Sequence, residues 1–308
     1  MNKYIHKFYV FLRDKNRRFI QLSNRGFFDH WTDEKYLRYK FQAVFGYELD
    51  LKNPQTFNEK LQWLKLHDRN PLYTTLVDKY AVKKWVADKI GKQYIIPTLG
   101  VWDRFDEIDF DKLPVQFVLK TTHDSGGVVI CHDKNTFDKQ AARKKLEKSL
   151  KNNFYYMGRE WPYKNVPPRI IAEPFLTDNI HTDLADYKFF CFHGVPRYCQ
   201  VITDRSTSEK VDFFDMDWHH QPFTGLMKPF PPAKQVPSKP VNFDRMKYAC
   251  SVLSKNIPFV RVDFYEVQDK MYLGEMTFYP ASGFGSFSPK EWDKKIGDLL
   301  ELPTEVKP

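Results

Sequence analysis

Two carboxylates and an arginine lie on a pair of predicted strands near the end of the chain, with the spacing of a metal and anion site. The strands read FVRVDFY and YLGEMTFYP. Because alternate residues of a strand share a face, Arg261 projects with Asp263, and Glu275 projects with Thr277. A turn at Gln268-Asp269 sets the strands opposite each other, which predicts that Asp263 and Glu275 lie within cross-strand reach.

These two carboxylates suit a divalent cation. Carboxylates directed at one point repel each other unless a cation lies between them. Oxygen ligands of this kind suit Mg²⁺ bridged to nucleotide phosphates, and Arg261 would hold a second anion beside the metal. The alternative is an exposed hairpin with solvated ion pairs, in which Val262 and Phe264 on the opposite face form the core. The spacing leaves both interpretations open.

Lysines in two other strand-like runs add to this pattern. Lys120 ends the run FVLK and precedes a turn containing Ser125-Gly126-Gly127, whose glycines let backbone amides approach a ligand closely. Such amides with a nearby ammonium bind phosphate, although a plain hairpin turn needs glycine equally. Lys188 alternates with aromatic residues in DYKFF. Lysines, carboxylates and an arginine in this order predict a nucleotide-phosphate site.

Predicted helices and strands position these residues. A capping box at Thr56 and Glu59 indicates a helix over 50–66, and a second helix over 74–90 carries Lys79 near its start. The later elements are strands over 115–121 and 128–131, a helix over 137–150, a strand over 169–176, a hairpin over 187–203, a helix from Phe243, the hairpin over 259–278 and a last helix from Pro289.

This order predicts two α+β lobes, each a mostly antiparallel sheet with helices. The strand over 169–176 contains Pro174, which cannot donate to a ladder. We therefore expect that strand at a sheet edge or as a connector between the lobes.

The composition excludes several classes of protein. The chain has 308 residues, of which 42% are hydrophobic and 17% aromatic, so it can bury a core and is neither disordered nor collagen-like. Four cysteines without CxxC spacing indicate a reducing cytoplasm, and no apolar run approaches the roughly 20 residues of a membrane span. The net charge of +9 indicates anionic partners: phosphates, acidic sugars, nucleic acid or a membrane surface.

Most of this charge lies in residues 1–25, which contain seven basic residues and one acidic residue. Five aromatic residues are mixed with them: Tyr4, Phe8, Tyr9, Phe11 and Phe19. Segments of this kind lie on anionic membrane faces. The alternative is a helix that packs its aromatic residues on the protein and leaves a basic face in solvent.

The order of the segments resembles the ATP-grasp superfamily, and their amino-acid sequences are most similar to its TupA-like branch, named for teichuronopeptide synthesis. The resemblance covers about residues 40–300 and is most specific in LKNPQTFNEKLQW, LGVWDRFDEIDFDKLP, FVLKTTHDSGGVVIC, DYKFFCFHG and GEMTFYPASGF. It implies an α+β ATP-grasp fold with ATP bound between the antiparallel sheets of two lobes. The implied division is a basic, aromatic, helical region over 1–75, a small lobe over 76–176 and a large lobe over 177–308.

The resemblance also implies roles for residues of the small lobe. Lys79 and Lys120 are similar to the two phosphate-binding lysines of the superfamily, as in D-alanine–D-alanine ligases. Ser125-Gly126-Gly127 resembles the flexible loop that closes over the phosphates. Glu173-Pro174-Phe175-Leu176 resembles the hinge, in which backbone groups bind the adenine edge and the glutamate reaches its amino group.

In the large lobe, the resemblance makes Lys188 the third ATP-binding lysine and Arg261 the residue that stabilises the acyl-phosphate. It makes Asp263 and Glu275 the magnesium ligands. The family's E-x-N motif is here Glu275-Met276-Thr277, and a threonine hydroxyl is a weaker Mg²⁺ ligand than an amide oxygen, so the number of ions stays open. The ribose-binding acid stays open among Asp178, Asp183 and Asp186.

The implied activity is an ADP-forming carboxylate–amine ligase that uses ATP and Mg²⁺. A carboxylate takes the γ-phosphate of ATP, and an amine then displaces phosphate to give an amide. The TupA-like branch suggests an amino acid and a uronic acid, or an acidic glycan, of a cell-surface polysaccharide such as capsule or O-antigen. We expect a cytoplasmic protein that contacts the inner membrane face through residues 1–25 and binds no nucleic acid.

Two other functions stay open. A glycosyltransferase or sugar phosphotransferase of polysaccharide assembly would need an acidic DxD metal motif, and Asp215-Met216-Asp217 matches that pattern. A non-catalytic module that binds polyanions through the N-terminal segment would show strong salt dependence and no need for ATP.

Overall fold

A computed structural model describes residues 14–178, 183–226 and 230–303. Its helices are α1 (Lys15–Ser23), α2 (Asp33–Phe45), α3 (Phe57–His67), α4 (Leu72–Val77), α5 (Ala81–Ile90), α6 (Lys139–Leu150), α7 (Tyr155–Gly158), α8 (Phe243–Leu253) and α9 (Glu291–Gly297). Its strands are β1 (Gly100–Trp102), β2 (Phe117–Thr121), β3 (Val128–Cys131), β4 (Ile170–Pro174), β5 (Asp186–Phe192), β6 (Val195–Thr203), β7 (Lys210–Phe214), β8 (Thr224–Leu226), β9 (Phe259–Val267), β10 (Lys270–Thr277) and β11 (Ser286–Ser288). Within these ranges, none of the helices is long and apolar enough to cross a membrane.

Two antiparallel sheets form the frame of the molecule. The small sheet has the order β1-β4-β2-β3, and the large sheet has the order β10-β9-β5-β6-β7. A separate short ladder joins β8 and β11. The two mixed helix-and-sheet units expected from the sequence are therefore present, and the fold class is α+β.

The large sheet and the preceding helices share one buried core. Phe57 and Leu61 of α3, together with Val82 and Val86 of α5, belong to the same apolar cluster as Phe190 of β5. Helix α3 begins at the expected capping box, with Thr56 accepting from the Glu59 N–H and Glu59 accepting from the Thr56 N–H. The lobe boundaries at 75 and 176 stay a prediction, since these helices and the large sheet bury their apolar faces together.

The N-terminal helices form a cluster of their own. Phe19 stacks on Phe28 with a centroid separation of 4.7 Å and also contacts Trp31, beside the buried Tyr36. For this part of the segment, the aromatic residue packs on the protein, as the alternative interpretation expected. Residues 1–13 lie outside the described residues.

The structure differs from the sequence-based expectations at several elements. The helix expected over 50–66 begins only at Phe57, because Thr56 is its N-cap. The single helix expected over 74–90 is broken, because Asp78 accepts from the N–H groups of Tyr80 and Ala81 and starts α5 afresh. Strand β4 is internal, so the edge position expected from Pro174 is wrong. Pro174 is tolerated because the β1 ladder ends at Ala172, two residues earlier.

Candidate active site

Strands β9 and β10 bring the predicted carboxylates together. Asp263 lies directly opposite Glu275, and Arg261 lies directly opposite Thr277. The Arg261 guanidinium donates two hydrogen bonds of 2.7 Å to Asp263 and one of 3.1 Å to Glu275. A further 3.1 Å bond reaches the Thr277 hydroxyl. The cross-strand group predicted from the spacing is confirmed.

A β-bulge at Gly274 produces this pairing. Leu273 is opposite Phe264, but Glu275 is opposite Asp263, so β10 contains one extra residue. An unbroken register would place Gly274 opposite Asp263 and turn Glu275 to the core face. A Cβ at position 274 would approach the Tyr265 ring at 3.0 Å, which favours glycine there. The bulge therefore delivers Glu275 to the polar face of the sheet.

The group is buried, which excludes the solvated surface hairpin. Asp263 is 2% exposed and Arg261 is 8% exposed. Lys188 of β5 lies opposite Asp263 on its other side, with Nζ 2.5 Å from Oδ2. Burial alone would raise the pKa of Asp263, but Arg261 and Lys188 hold it below its ordinary value. Burial opposes the charge of Arg261, yet Asp263 and Glu275 raise the pKa of the guanidinium.

Asp186 belongs to the same face. It lies two residues before Lys188 on β5, is buried, and accepts from Arg205 at 2.6 Å through Oδ2. Its Oδ1 has no hydrogen-bond partner among the described residues and is 3.7 Å from Lys188 Nζ. Asp183 instead binds the N–H and hydroxyl of Ser206. Of the three acids left open, Asp186 is the one aligned with Lys188 and Asp263.

Two lysines share a buried carboxylate on the small sheet. Glu173 of β4 forms ion pairs of 2.7 Å with Lys120 and 2.5 Å with Lys83. Burial would raise the pKa of Glu173, but the two ammonium groups hold it below its ordinary value. Burial lowers the pKa of Lys83, and Glu173 opposes that shift. The structure thus gives Lys120 an acidic partner, and it adds a second lysine that the sequence did not single out.

Lys79 lies in the break between α4 and α5, beside the β2–β3 loop. Its N–H donates to Thr122 O at 3.1 Å, and its Nζ donates to Asp124 O. The Asp124 carboxylate accepts from Thr121, Ser149 and the Gly127 N–H, which fixes the base of the loop. At the loop tip, Ser125 and Gly126 are exposed, and Gly126 has φ +131°.

A small cavity beside Lys120 and Glu173 also reaches Leu273 and Gly274 of β10, next to Glu275. Burial lowers the pKa of Lys79, while the Glu275 carboxylate of the large sheet raises it, so the two groups interact electrostatically. Phe175 and Leu176 follow β4 and are half-buried, and the Phe175 ring meets that of His132 at 4.9 Å. The cavity is lined by Lys79, Val82, Lys83, Ile95, Ile96, Lys120, Glu173, Leu273 and Gly274.

These residues fit a nucleotide and magnesium. Val82, Ile95 and Ile96 give the cavity an apolar wall for a base, and the lysines supply positive charge for phosphates. Carboxylate oxygens such as those of Asp263 and Glu275 are the ligands that Mg²⁺ prefers. The unpartnered Asp186 Oδ1 is a further buried acceptor on this face.

Lys83 was not predicted from the sequence, and Asp186 was one of three candidate acids. Lys83 is four residues after Lys79, and its position on the first turn of α5 directs it at the same carboxylate as Lys120. Helical spacing from Lys79 was a usable signal, but only once the start of α5 was known. Asp186 has the strand spacing of Lys188, which was also visible in DYKFF.

The Asp215-Met216-Asp217 motif lies elsewhere. It directly follows β7, the edge strand at the opposite side of the large sheet from β10. Asp215 accepts from the N–H groups of Asp217 and His219 and contacts the His219 ring at 3.0 Å. The ligand atoms of Asp215, Asp217 and His219 lie within 4.8 Å of one another, close enough for one metal ion, but none of these residues lines the cavity beside Lys120.

One protein family matches most of the chain. A family model described as TupA-like ATPgrasp matches residues 59–301. No curated protein sequence matches the chain significantly.

Solved ATP-grasp ligases are similar at low identity. D-alanine–D-alanine ligase from Bacillus anthracis, complexed with ATP, shares 17% identity at TM-score 0.41, with coverage of 73% of this chain and 63% of that one. D-alanine–D-alanine ligase from Helicobacter pylori shares 13% identity at TM-score 0.41, with coverage of 82% of this chain and 68% of that one. The ATP-grasp ligase PsnB, complexed with minimal precursor, Mg and ADP, shares 10% identity at TM-score 0.39, with coverage of 84% of this chain and 66% of that one. This chain thus spans less than two thirds of the Bacillus ligase. Because the family model covers most of the sequence, the chain belongs to the TupA-like ATP-grasp family and has the α+β ATP-grasp fold.

Proposed function

We propose that this protein is an ATP-dependent carboxylate–amine ligase that forms an amide through an acyl-phosphate. The observation that supports this most directly is the array of buried Lys188, Asp263 and Arg261 with the half-exposed Glu275 on one face of the large sheet. The lysine-lined cavity of the small sheet reaches Gly274, the residue next to Glu275. Family membership supports the same assignment.

The proposed roles follow from charge and position. Lys79, Lys83 and Lys120 neutralise phosphate charge from the small sheet, and Lys188 does so from the large sheet. Within the Ser125-Gly126-Gly127 loop, the exposed Ser125 and Gly126 supply backbone N–H groups above them, while the Gly127 N–H holds the loop base. The adenine lies near the hinge segment Glu173-Pro174-Phe175-Leu176.

Asp263 and Glu275 would hold Mg²⁺, with Thr277 as a further oxygen ligand, and the ion supplies charge neutralisation during phosphoryl transfer. Arg261, which bonds both carboxylates, would stabilise the oxygens of the acyl-phosphate beside them. No nucleophilic side chain is required, because the substrate carboxylate itself attacks the γ-phosphate.

The proposed substrates are a uronic acid, free or within an acidic glycan, and an amino acid whose amine becomes the amide nitrogen. The product would serve a cell-surface polysaccharide. Support for this choice is the branch of the family, together with a chain whose net charge of +9 suits an anionic partner.

We further propose that the protein works in the cytoplasm, where its N-terminal region contacts the anionic inner face of the membrane. Lys15, Arg17 and Arg25 are exposed on and beside α1. The aromatic side chains of Phe27, which follows α1, and Tyr39, on α2, are also exposed. Helix α2 packs against α1. Basic and aromatic side chains together are typical of interfacial binding.

Nucleotide titration by calorimetry tests the core of the proposal. We expect Mg²⁺-dependent ATP binding that is lost in Lys120→Ala and Asp263→Ala. Absence of binding in the wild-type protein would exclude the ligase. Incubation with ATP, a uronic acid and pooled amino acids should then yield ADP and an amide by mass, whereas release of UDP from a UDP-sugar would favour a transferase.

A further inference from the structure

Asp78 is a buried carboxylate in the break between α4 and α5. It is 3% exposed, and its Oδ1 accepts from the N–H groups of Tyr80 at 2.8 Å and Ala81 at 3.2 Å. A side chain of this kind satisfies the free N–H groups at the start of a helix. The other oxygen, Oδ2, accepts from the Arg169 guanidinium at 2.7 Å. Asp78 therefore links the start of α5 to a cation on another element.

Arg169 is fixed to the small sheet at the residue before β4. Its N–H donates to the Thr122 hydroxyl at 3.1 Å, and its carbonyl accepts from the Thr122 N–H at 2.9 Å. That hydroxyl donates in turn to Pro167 O at 3.0 Å. The guanidinium lies over the Tyr80 ring, 4.9 Å from its centroid, which adds a cation–π contact. The backbone and the side chain of Arg169 are thus both held.

These contacts close a circuit around Lys79. The Lys79 N–H donates to Thr122 O at 3.1 Å, and the residue before it, Asp78, is bound to Arg169. Thr122 therefore holds the backbones of both Lys79 and Arg169, while the Arg169 side chain returns to Asp78. The circuit fixes the backbone of Lys79 relative to the small sheet.

Lys79 depends on this circuit because it lies outside both helices. Helix α4 ends two residues before it, and α5 begins two residues after it. Its side chain lines the cavity beside Lys120. Within the part of the chain that the structure describes, neither Arg169 nor Asp78 belongs to that lining. Any effect of Arg169 on a ligand in the cavity should therefore run through Lys79.

We propose that Arg169 is a positioning residue for nucleotide binding, which holds the Lys79 ammonium at the phosphate site through Asp78. This inference rests on the proposed ligase function, in which Lys79 neutralises phosphate charge. Loss of Arg169 would leave the buried Asp78 carboxylate without the cation that it pairs with. We then expect the ammonium of the adjacent Lys79 to turn toward Asp78 and away from the phosphates.

Calorimetric titration of the full-length protein with ATP and Mg²⁺ tests this role. We expect Arg169→Ala to weaken ATP binding about 10-fold, with the number of binding sites per protein unchanged. An unchanged number of sites shows that the variant is folded. Arg143→Ala is the matched control, because it removes an exposed arginine that also pairs with an aspartate, Asp106. ATP affinity should stay at the wild-type value in that variant.

Asp78→Asn separates positioning from general electrostatics. It keeps an oxygen that can cap α5 but removes the negative charge that binds Arg169. A purely electrostatic effect predicts tighter ATP binding, because a negative charge beside Lys79 is lost. The positioning role predicts binding about 10-fold weaker, as in Arg169→Ala, and no further loss when the two substitutions are combined. Asp78→Asn also provides the test if Arg169→Ala fails to fold.

A Lys79→Ala background shows whether the effect of Arg169 runs through Lys79. Without the lysine side chain, Arg169 has no ammonium to position. Arg169→Ala should therefore change ATP affinity by less than about 2-fold in this background. A residue that acted on ATP directly, or only on the fold, would weaken binding by the same factor in both backgrounds.

Three results would overturn the role of Arg169: tighter ATP binding in Asp78→Asn, the full effect of Arg169→Ala in the Lys79→Ala background, or a loss confined to the number of binding sites. If wild type and Lys79→Ala bind ATP equally well, the ligase proposal stands and this inference alone fails. If the wild-type protein binds no ATP, the proposed function fails, and the inference about Arg169 falls with it.

Discussion

Lys188 and Asp263 face each other across β5 and β9, with the ammonium nitrogen 2.5 Å from a carboxylate oxygen. Asp263 also holds the Arg261 guanidinium through two bonds of 2.7 Å. One buried carboxylate therefore compensates two buried cations. The arrangement makes Asp263 the residue on which the charge balance of the large sheet depends.

Removal of Asp263 should be costly in the absence of any ligand. Asp263→Ala leaves Lys188 and Arg261 buried without their shared partner, so we expect the free energy of unfolding to fall by about 3 to 5 kcal/mol in urea titrations. Lys294→Ala is the control, because it breaks an exposed pair with Asp298 and should have little effect. Equal losses in the two variants would contradict the buried pairing.

Lys83 should contribute to nucleotide binding as strongly as Lys120. Both ammonium groups lie on Glu173 at the cavity wall, so Lys83→Met should weaken ATP binding about 10- to 100-fold by calorimetry. Lys84→Met changes the next residue, whose side chain is exposed and pairs with Asp88. ATP affinity should be unchanged in that variant, and a similar loss there would point to general electrostatics.

Lys65 should make stability increase with pH. Its pKa falls from 10.5 to about 7 on folding, so between these values the unfolded chain binds more protons than the folded protein. The free energy of unfolding therefore gains a positive slope with pH from Lys65. We expect Lys65→Met to lose that slope in urea titrations above neutral pH.

The slope of stability against pH is the quantity to compare, because Lys65→Met also removes the hydrogen bonds of the Lys65 amino group and so lowers stability by itself. Lys144→Met, at an exposed position on α6, should follow the wild-type curve in parallel. A Lys65→Met curve parallel to the wild type would show that Lys65 is charged in the folded protein throughout.

The basic residues of α1 should drive membrane contact. Arg17→Glu with Arg25→Glu should strongly reduce sedimentation with vesicles that contain anionic lipid, and leave ATP binding unchanged. Lys144→Glu with Lys148→Glu alters net charge equally on exposed positions of α6. If both pairs reduce sedimentation to the same extent, net charge alone accounts for binding.

Sequence reasoning succeeded where local spacing decides geometry. The period of two in FVRVDFY was enough to place Arg261 and Asp263 on one face, and the capping box was enough to start α3. The spacing also predicted that Asp263 and Glu275 lie opposite each other, but it did not predict the β-bulge that produces this pairing. The bulge lies at Gly274, where a Cβ would approach the Tyr265 ring and the Asp263 carbonyl of the neighbouring strand, and no local pattern reports those contacts.

Long-range charge placement was beyond the sequence. Glu160 and Ser282 are 122 positions apart, and Lys65 meets Ser282 across 217 positions. Their side chains have no local period that marks them, because each is buried by a different element. Pro174 misled for a related reason: the residue type limits hydrogen bonding, but the length of β1 decides whether that limit matters.

The break between α4 and α5 gives Lys79 a mechanical position as well as a charge. Its backbone is tied to Thr122 at the foot of the β2–β3 loop, while Leu76 and Val82 on either side are anchored in the large core. Lys79 therefore connects the loop to the core through one backbone hydrogen bond, between neighbours that are themselves fixed. If the loop moves over bound phosphates, both helices are displaced through Lys79. We therefore expect the backbone at Lys79 to change conformation first.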